Sequence, residues 1–242
     1  MSDQPGLEAV PEDWSRGLAV AAHPDDLEYG TASAVARWTS QGKQIVYLIV
    51  TRGEAGIDAM PPEVAGPIRE EEERRSAAVV GVQTVEFLDY RDGVVEYGLP
   101  LRRDIARVIR RYRPEVVITG NFQLTWGGAS FNMADHRAVG LAVLDAARDA
   151  ANRWVFPELT AAGLEPWSGV KMVCTGGSPD AASGVDISDF IEQGVASLKE
   201  HREYIAGLGT DFDPDSFLKD RASWAGAEMN VRHAVKFRVF QI

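Results

Sequence analysis

Residues 17–30 read GLAVAAHPDDLEYG. A short apolar run, long enough for a buried strand, stops at a histidine, a proline and two adjacent acids. Two readings of HPDD compete. Asp is a good helix N-cap and Pro suits a first turn, so the stretch can be a strand-to-helix bend without chemistry. It can equally be half of a metal site. Zinc takes histidine nitrogen and aspartate oxygen, and His23 and Asp26 lie on one loop stiffened by Pro24.

Outward from this bend, strand-like and helix-like runs alternate. Helical spacing over 30–42 is followed by the apolar, β-branched run QIVYLIVT at 44–51. A loop rich in Gly, Pro and Ala is expected at 52–67, a helix at 68–81 and a strand at 84–89. An amphipathic helix at 99–113 is ended by Pro114, before a strand at 115–120. The pattern closes with a helix at 134–152, a strand at 170–177, a helix at 188–209 and an edge strand at 234–242. Such alternation predicts βαβ units, hence an α/β fold with a mostly parallel sheet. With no repeat and no linker, residues 1–242 read as one domain, and 1–15 as a loose N-terminal arm. Open parallel sheets bind ligands beyond the carboxyl ends of their strands. The loops starting at His23, Arg52, Asp89 and Asn121 are therefore expected on one edge.

Composition narrows the partners. The 242 residues are 45% hydrophobic, enough for a substantial core, and 36 acids against 25 bases give a net charge of −11. That surface repels phosphate backbones, so nucleic acid is not expected as a partner. No apolar run approaches a membrane span, and the acidic start MSDQPGLEAVPEDW lacks the layout of a signal peptide. The single cysteine, Cys174, sits in an apolar run and reads as core; the lack of any internal disulfide fits a reducing cytoplasm. No G-x-G-x-x-G follows the first strand, which argues against a dinucleotide site.

A metal reading of HPDD needs a third ligand. The chain has four histidines, leaving His136, His201 and His233 as candidates. His136, in NMADHRAVG, follows the loop of the fourth strand and so shares the predicted edge. Asp25 is then the acid not consumed by the ion, placed to act as general base.

Six stretches carry a resemblance: AHPDDLE (22–28), TRGEAG (51–56), IREEEERRSAAVVGV (68–82), FLDYRDG (87–93), RPEVVIT (113–119) and NMADHRAVG (132–140). Together and in this order they resemble the PIG-L/LmbE-like zinc-dependent N-deacetylases, which remove acyl groups from amino sugars. The resemblance implies a Rossmann-like three-layer sandwich. It implies one Zn2+ per chain on His23, Asp26 and His136, other divalent transition metals being compatible with such ligands. It further implies Asp25 as base, Arg52 in contact with substrate, a small N-acylated substrate and a homo-oligomer. Leu27 interrupts the usual Asp-Asp-Glu of the first motif. The larger departure is Met133, where the family's His-Pro-Asp-His motif has a histidine that helps stabilise the oxyanion. Methionine has no such donor. Either another residue supplies it (Asn132, His201, His233 and Arg52 are the candidates), or the metal suffices, or the protein is a weak or inactive metabolite-binding relative.

The remaining positions each have a plainer reading. Asp135 either orients a ligand or caps the helix that follows. Arg52 either grips substrate or pairs with Glu54 or a helix acid. Trp126 either packs on a sugar face or anchors its loop. The acids Glu70–Glu73 read as a solvated helix start partnered by Arg74 and Arg75. Residues 53–67 read as a mobile rim.

Overall fold

The computed structural model describes residues 6–209 and 212–242. Among the described residues ten strands form, β1 (Glu8–Ala9), β2 (Arg16–Ala21), β3 (Gln44–Ile49), β4 (Thr84–Phe87), β5 (Val116–Thr119), β6 (Thr125–Gly127), β7 (Ser130–Phe131), β8 (Met172–Gly176), β9 (Ser183–Asp186) and β10 (Ala234–Gln241). The helices are α1 (Ala32–Ser40), α2 (Pro62–Val79), α3 (Leu99–Tyr112), α4 (Ala134–Ala151), α5 (Pro157–Ala161), α6 (Ile191–Leu198), α7 (Arg202–Gly207) and α8 (Pro214–Met229). None of the described helices is long and apolar enough to cross a membrane.

Eight strands share one sheet in the order β1-β9-β10-β8-β5-β2-β3-β4, and β6 and β7 make a separate hairpin. From β8 to β4 all pairings are parallel, and β10 runs antiparallel to both β8 and β9. Helices cover both faces, giving a Rossmann-like three-layer sandwich. The two-residue period of the strands divides the core: Ala19, Tyr47 and Ile118 pack under α1 and α6, whereas Leu18, Val20, Leu48 and Val117 pack under α3 and α4. Helix α4 lies close because its inner face is Ala138, Ala142, Ala146 and Ala150. Strand order reverses at β2, whose neighbours are β3 on one side and β5 on the other. The crevice at such a reversal is where α/β sheets accept ligands.

The structure corrects several expectations. Residues 8–15 are not a loose arm: β1 pairs with β9, and Trp14 is buried edge-on against Trp38 at 5.3 Å between ring centroids. One large aromatic outweighs the acidic composition; residues 1–5 of the expected arm lie outside the described residues. Strand β10 is internal, not an edge. The helix expected at 188–209 is two helices with a bend at 199–201. Helix α2 starts at Pro62, six residues earlier than its acidic run suggested, because proline fits the first helical position. The last six residues of the expected rim at 53–67 are thus helical. Helix α8 has no counterpart among the elements expected from the sequence, although Asp213 followed by Pro214 is a capping signal and its carboxylate accepts from the backbone of Asp215 and Ser216.

Candidate metal centre and active site

The bend after β2 is built by its own aspartates. Asp26 Oδ2 accepts the N–H groups of Ala22 (3.0 Å) and His23 (2.9 Å), folding the chain back on the strand end. Asp25 is left with φ of 93°, in the left-handed region that a residue with a Cβ avoids. Such strain costs on the order of 1–3 kcal/mol and persists where surrounding groups impose it. Here two do. Glu73 Oε2 accepts the Asp25 N–H at 3.1 Å, and Arg69 Nη2 donates to Asp25 Oδ2 at 2.9 Å.

His136, in the first turn of α4, meets this bend. Its Nε2 is 3.0 Å from Asp26 Oδ1, and His23 Nδ1 is 3.5 Å from Asp26 Oδ2. The imidazole centroids are 5.1 Å apart, and one ligand atom from each of His23, Asp26 and His136 falls within 4.8 Å of the others. Each ring is oriented through its second nitrogen, as metal-binding histidines usually are. His136 Nδ1 stands 3.0 Å from Asn132 Oδ1; His23 Nε2 stands 3.0 Å from Asp92 Oδ1 and 3.3 Å from Asp135 Oδ2. Asp135 is itself held by the N–H groups of Gly93 and Val95. Met133, not Asp135, is the residue at the N-cap of α4.

The electrostatics are those of a buried, tightly paired group. Burial raises the Asp26 carboxyl, but the charges of His136 and His23 outweigh it and hold it well below the ordinary range. Burial lowers the His23 imidazole, yet Asp26 and hydrogen bonds to Asp135, Asp26 and Asp92 push it well above 6.5. Asp25 is pushed up to about 6, mainly by burial and partly offset by Arg69.

These side chains open onto a cavity of about 480 Å³. His23, Asp25, Asp26 and His136 line it, with Trp126, Met133, Arg69, Tyr29 and Tyr204 around them. Trp126 packs edge-on to His136 at 5.6 Å between centroids.

Other expected site residues stand elsewhere. Asn132 is fully buried and both its amide donations are used, on Asn121 O and Gln123 O, so it orients His136 and has no donor left for an oxyanion. His201 is fully buried and outside the cavity lining. His233 lies at the start of β10, also outside the lining, with its backbone N–H on Ser188. Arg52 does not line the cavity; it pairs with Glu70 and Asp89, the plainer alternative for that residue. Nor is the acid run a solvated face. Glu72 and Glu73 are buried, because α2 turns Arg69, Glu72, Glu73 and Ser76 inward at helical spacing.

The guanidinium that touches Asp25 therefore belongs to Arg69, which the sequence reading missed. It stacks over Tyr204 at 4.2 Å and donates to Gly53 O at 2.9 Å. A Cβ at Gly53 or Gly56 would collide with this guanidinium, which explains both glycines of TRGEAG. The i, i+4 pair Arg69 and Glu73 was the available signal, hidden among the outward Glu70 and Glu71.

Comparison with known proteins then decides the kinship. The family model described as PIG-L, GlcNAc-PI de-N-acetylase, matches residues 18–147. The chain belongs to the PIG-L family. It is 31% identical over 193 residues to diacetylchitobiose deacetylase of Thermococcus kodakarensis, spanning 78% of this chain and 70% of that one. Among solved structures, N,N'-diacetylchitobiose deacetylase from Pyrococcus horikoshii superposes with a TM-score of 0.85 at 23% identity, covering 95% and 85% of the two chains. The PIG-L fold also serves other chemistry. GalB, the 4-carboxy-2-hydroxymuconate hydratase of Pseudomonas putida KT2440, superposes with a TM-score of 0.72 at 19% identity, over 94% of this chain and 97% of its own. The reaction must therefore be argued from the site and not from the fold.

Proposed function

We propose that this protein is a zinc-dependent N-deacetylase that releases acetate from an N-acetylated amino sugar or small glycoconjugate. The observation that carries the reading is the meeting of His23, Asp26 and His136 beside Asp25 at one cavity. Two imidazoles and a carboxylate suit zinc, and three protein ligands leave a position open, as catalytic sites require. Held by His23, Asp26 and His136, a zinc ion would supply Lewis acidity and bring the pKa of the attacking water toward about 7. Asp25 takes the proton of the attacking water and returns it to the departing amine nitrogen. Arg69 occupies Asp25 Oδ2, so Oδ1 is the atom assigned to that proton. The relative from Thermococcus kodakarensis, named for a diacetylated chitobiose, supports the amino-sugar class. Trp126 offers a ring face beside His136 for the apolar side of a sugar.

Met133 lines the cavity where the family motif carries a donor. We assign that role to the Tyr204 hydroxyl, which lines the same cavity near enough to Asp25 for the carboxylate's charge to add to burial in raising its phenol. The second reading, a weak or inactive metabolite-binding relative, rests on Met133 alone.

Acetate release from N-acetylglucosamine and diacetylchitobiose, with and without chelator, tests the proposal. Turnover is expected, abolished by chelation and restored by zinc. Asp25→Asn is expected to retain metal and lose most turnover. Metal binding without hydrolysis across a broad panel of N-acetyl sugars would favour the binding reading.

A further inference from the structure

Three buried side chains outside the cavity lining make a second constellation. Glu28 follows the HPDD bend, Glu73 lies on α2, and His201 stands in the bend between α6 and α7. One ligand atom from each lies within 4.8 Å of the others. His201 Nε2 is 3.7 Å from both Glu28 Oε2 and Glu73 Oε2, too far for a hydrogen bond. Ligand atoms around a tetrahedral divalent ion, with bonds of about 2.1 Å, stand about 3.4 Å apart.

Of the three atoms that face one another, Glu28 Oε2 and His201 Nε2 have no hydrogen-bond partner among the described residues, whereas Glu73 Oε2 has one. His201 Nδ1 has none there either. The opposite oxygen of Glu28 is taken by Ser76, and Glu73 Oε2 accepts the Asp25 N–H. A side chain from another element gives independent support. The Tyr47 hydroxyl on β3 is fully buried and equally unpartnered, and it faces the same acids: their charges add to burial in pushing its phenol well up.

We infer that Glu28, Glu73 and His201 hold a second divalent transition-metal ion, enclosed within the protein and distinct from the one at the cavity. Two carboxylates in an interior demand counter-charge. A divalent ion neutralises both and gives the imidazole nitrogen a partner at the spacing observed. Protons are the competing counter-charge, shared between the acids or carried by the imidazole, and in either case the 3.7 Å spacing leaves His201 Nε2 beyond hydrogen-bond reach of both acids. Nitrogen-oxygen ligation accepts zinc, and equally iron, cobalt or nickel. The ion would tie the HPDD bend, α2 and the α6–α7 bend together. It would act as a structural ion, since all three side chains are buried and outside the cavity lining, and it would enter as the chain folds. The inference does not rest on the deacetylase reading.

The test is metal counting. Protein is unfolded in guanidinium with EDTA, desalted, refolded with three equivalents of zinc, desalted again and assayed by mass spectrometry. The expected result is about two zinc ions in the wild type, one in His136→Ala, one in His201→Gln and none in the double variant. One ion in the wild type that persists in His136→Ala and vanishes in His201→Gln supports this site and removes the one at the cavity. One ion in the wild type and none in His136→Ala overturns the inference. So does an undiminished count in His201→Gln, which marks surface binding. Should His201→Gln fail to refold, anomalous scattering at the zinc edge from wild-type crystals decides. A peak among the three side chains supports the site, and its absence there overturns it.

Discussion

Replacing Arg69 by methionine removes the guanidinium that contacts Asp25 while keeping most of the apolar stem. The pair is 2.9 Å apart and almost fully buried on both sides. Unit charges about 4 Å apart at an effective dielectric near 20 interact by about 4 kcal/mol, an upper bound equivalent to about three pKa units. Arginine beside an aspartate typically lowers it by about 1–3 units, so a rise of about two is expected on its removal. Asp25 stands at about 6 with Arg69 present. The variant should move it to about 8, and at pH 7 the ionised fraction falls from about nine-tenths to about one-tenth. A base must be ionised to take a proton, so the acid limb of kcat/KM should move about two units to higher pH, a loss of about tenfold one unit above the wild-type midpoint that is recovered about two units further up. The assay is a pH profile of kcat/KM from pH 5 to 9.5 for wild type, Arg69→Met and Arg69→Lys, with zinc saturating. A bound ion lowers all three profiles alike, so the displacement between them is the quantity read. The lysine variant keeps the charge and should keep the wild-type acid limb. An acid limb unmoved in Arg69→Met, with a loss equal at every pH, would refute the argument and make Arg69 a substrate contact.

Three further outcomes are expected. In the metal-free protein the folded Asp25 carboxyl, at about 6, lies above its ordinary 3.8. Its contribution to stability is therefore full below about 3.8 and is lost as pH rises through about 6, so wild type should lose up to about 3 kcal/mol relative to Asp25→Asn. Urea unfolding in EDTA at pH 4 and pH 7.5 measures this, and a difference that stays constant contradicts it. Asn132→Leu takes the acceptor from His136 Nδ1 and should weaken zinc binding about 10–100-fold in competition with a chromophoric chelator. Unchanged affinity would show that His136 is oriented by packing alone. Arg110 is buried away from the cavity and donates to the carbonyls of Ala150, Asn152 and Val155. Arg110→Met should cost about 3–5 kcal/mol in unfolding experiments and leave turnover per folded molecule unchanged.

The layout of strands and helices was legible because the apolar runs were short, evenly spaced and closed by glycine or proline. What stayed hidden was set by contacts between distant segments. Nothing local in REYIAGLG (202–209), after the bend, or in the runs before it, shows that His201 must leave the helix to sit beside Glu28 and Glu73. Nothing local places β10 between two strands, since an apolar run of that length fits an edge or a centre. The HPDD bend named its own metal-type residues because they are adjacent in the chain, and His136 followed from its place after β5. Arg69 and Asn132 were misjudged for opposite reasons. Arg69 sat within a charged run that reads as surface, and Asn132 looked like a free donor until its partners at Asn121 and Gln123 were in view.

The internal position of β10 has a consequence for biosynthesis. On a translating ribosome, β2 to β5 with α1 to α3 can associate well before β10 emerges, and the bend that carries His23 and Asp26 is among them. Strand β8, however, keeps one open edge until Gln241 arrives, and β9 with β1 has nothing to attach to. A nascent chain stalled or cut upstream of Ala234 would hold every residue of the cavity floor and still expose an unpaired strand, the kind of edge that recruits other chains. Loss of β10 should therefore be read out first as aggregation.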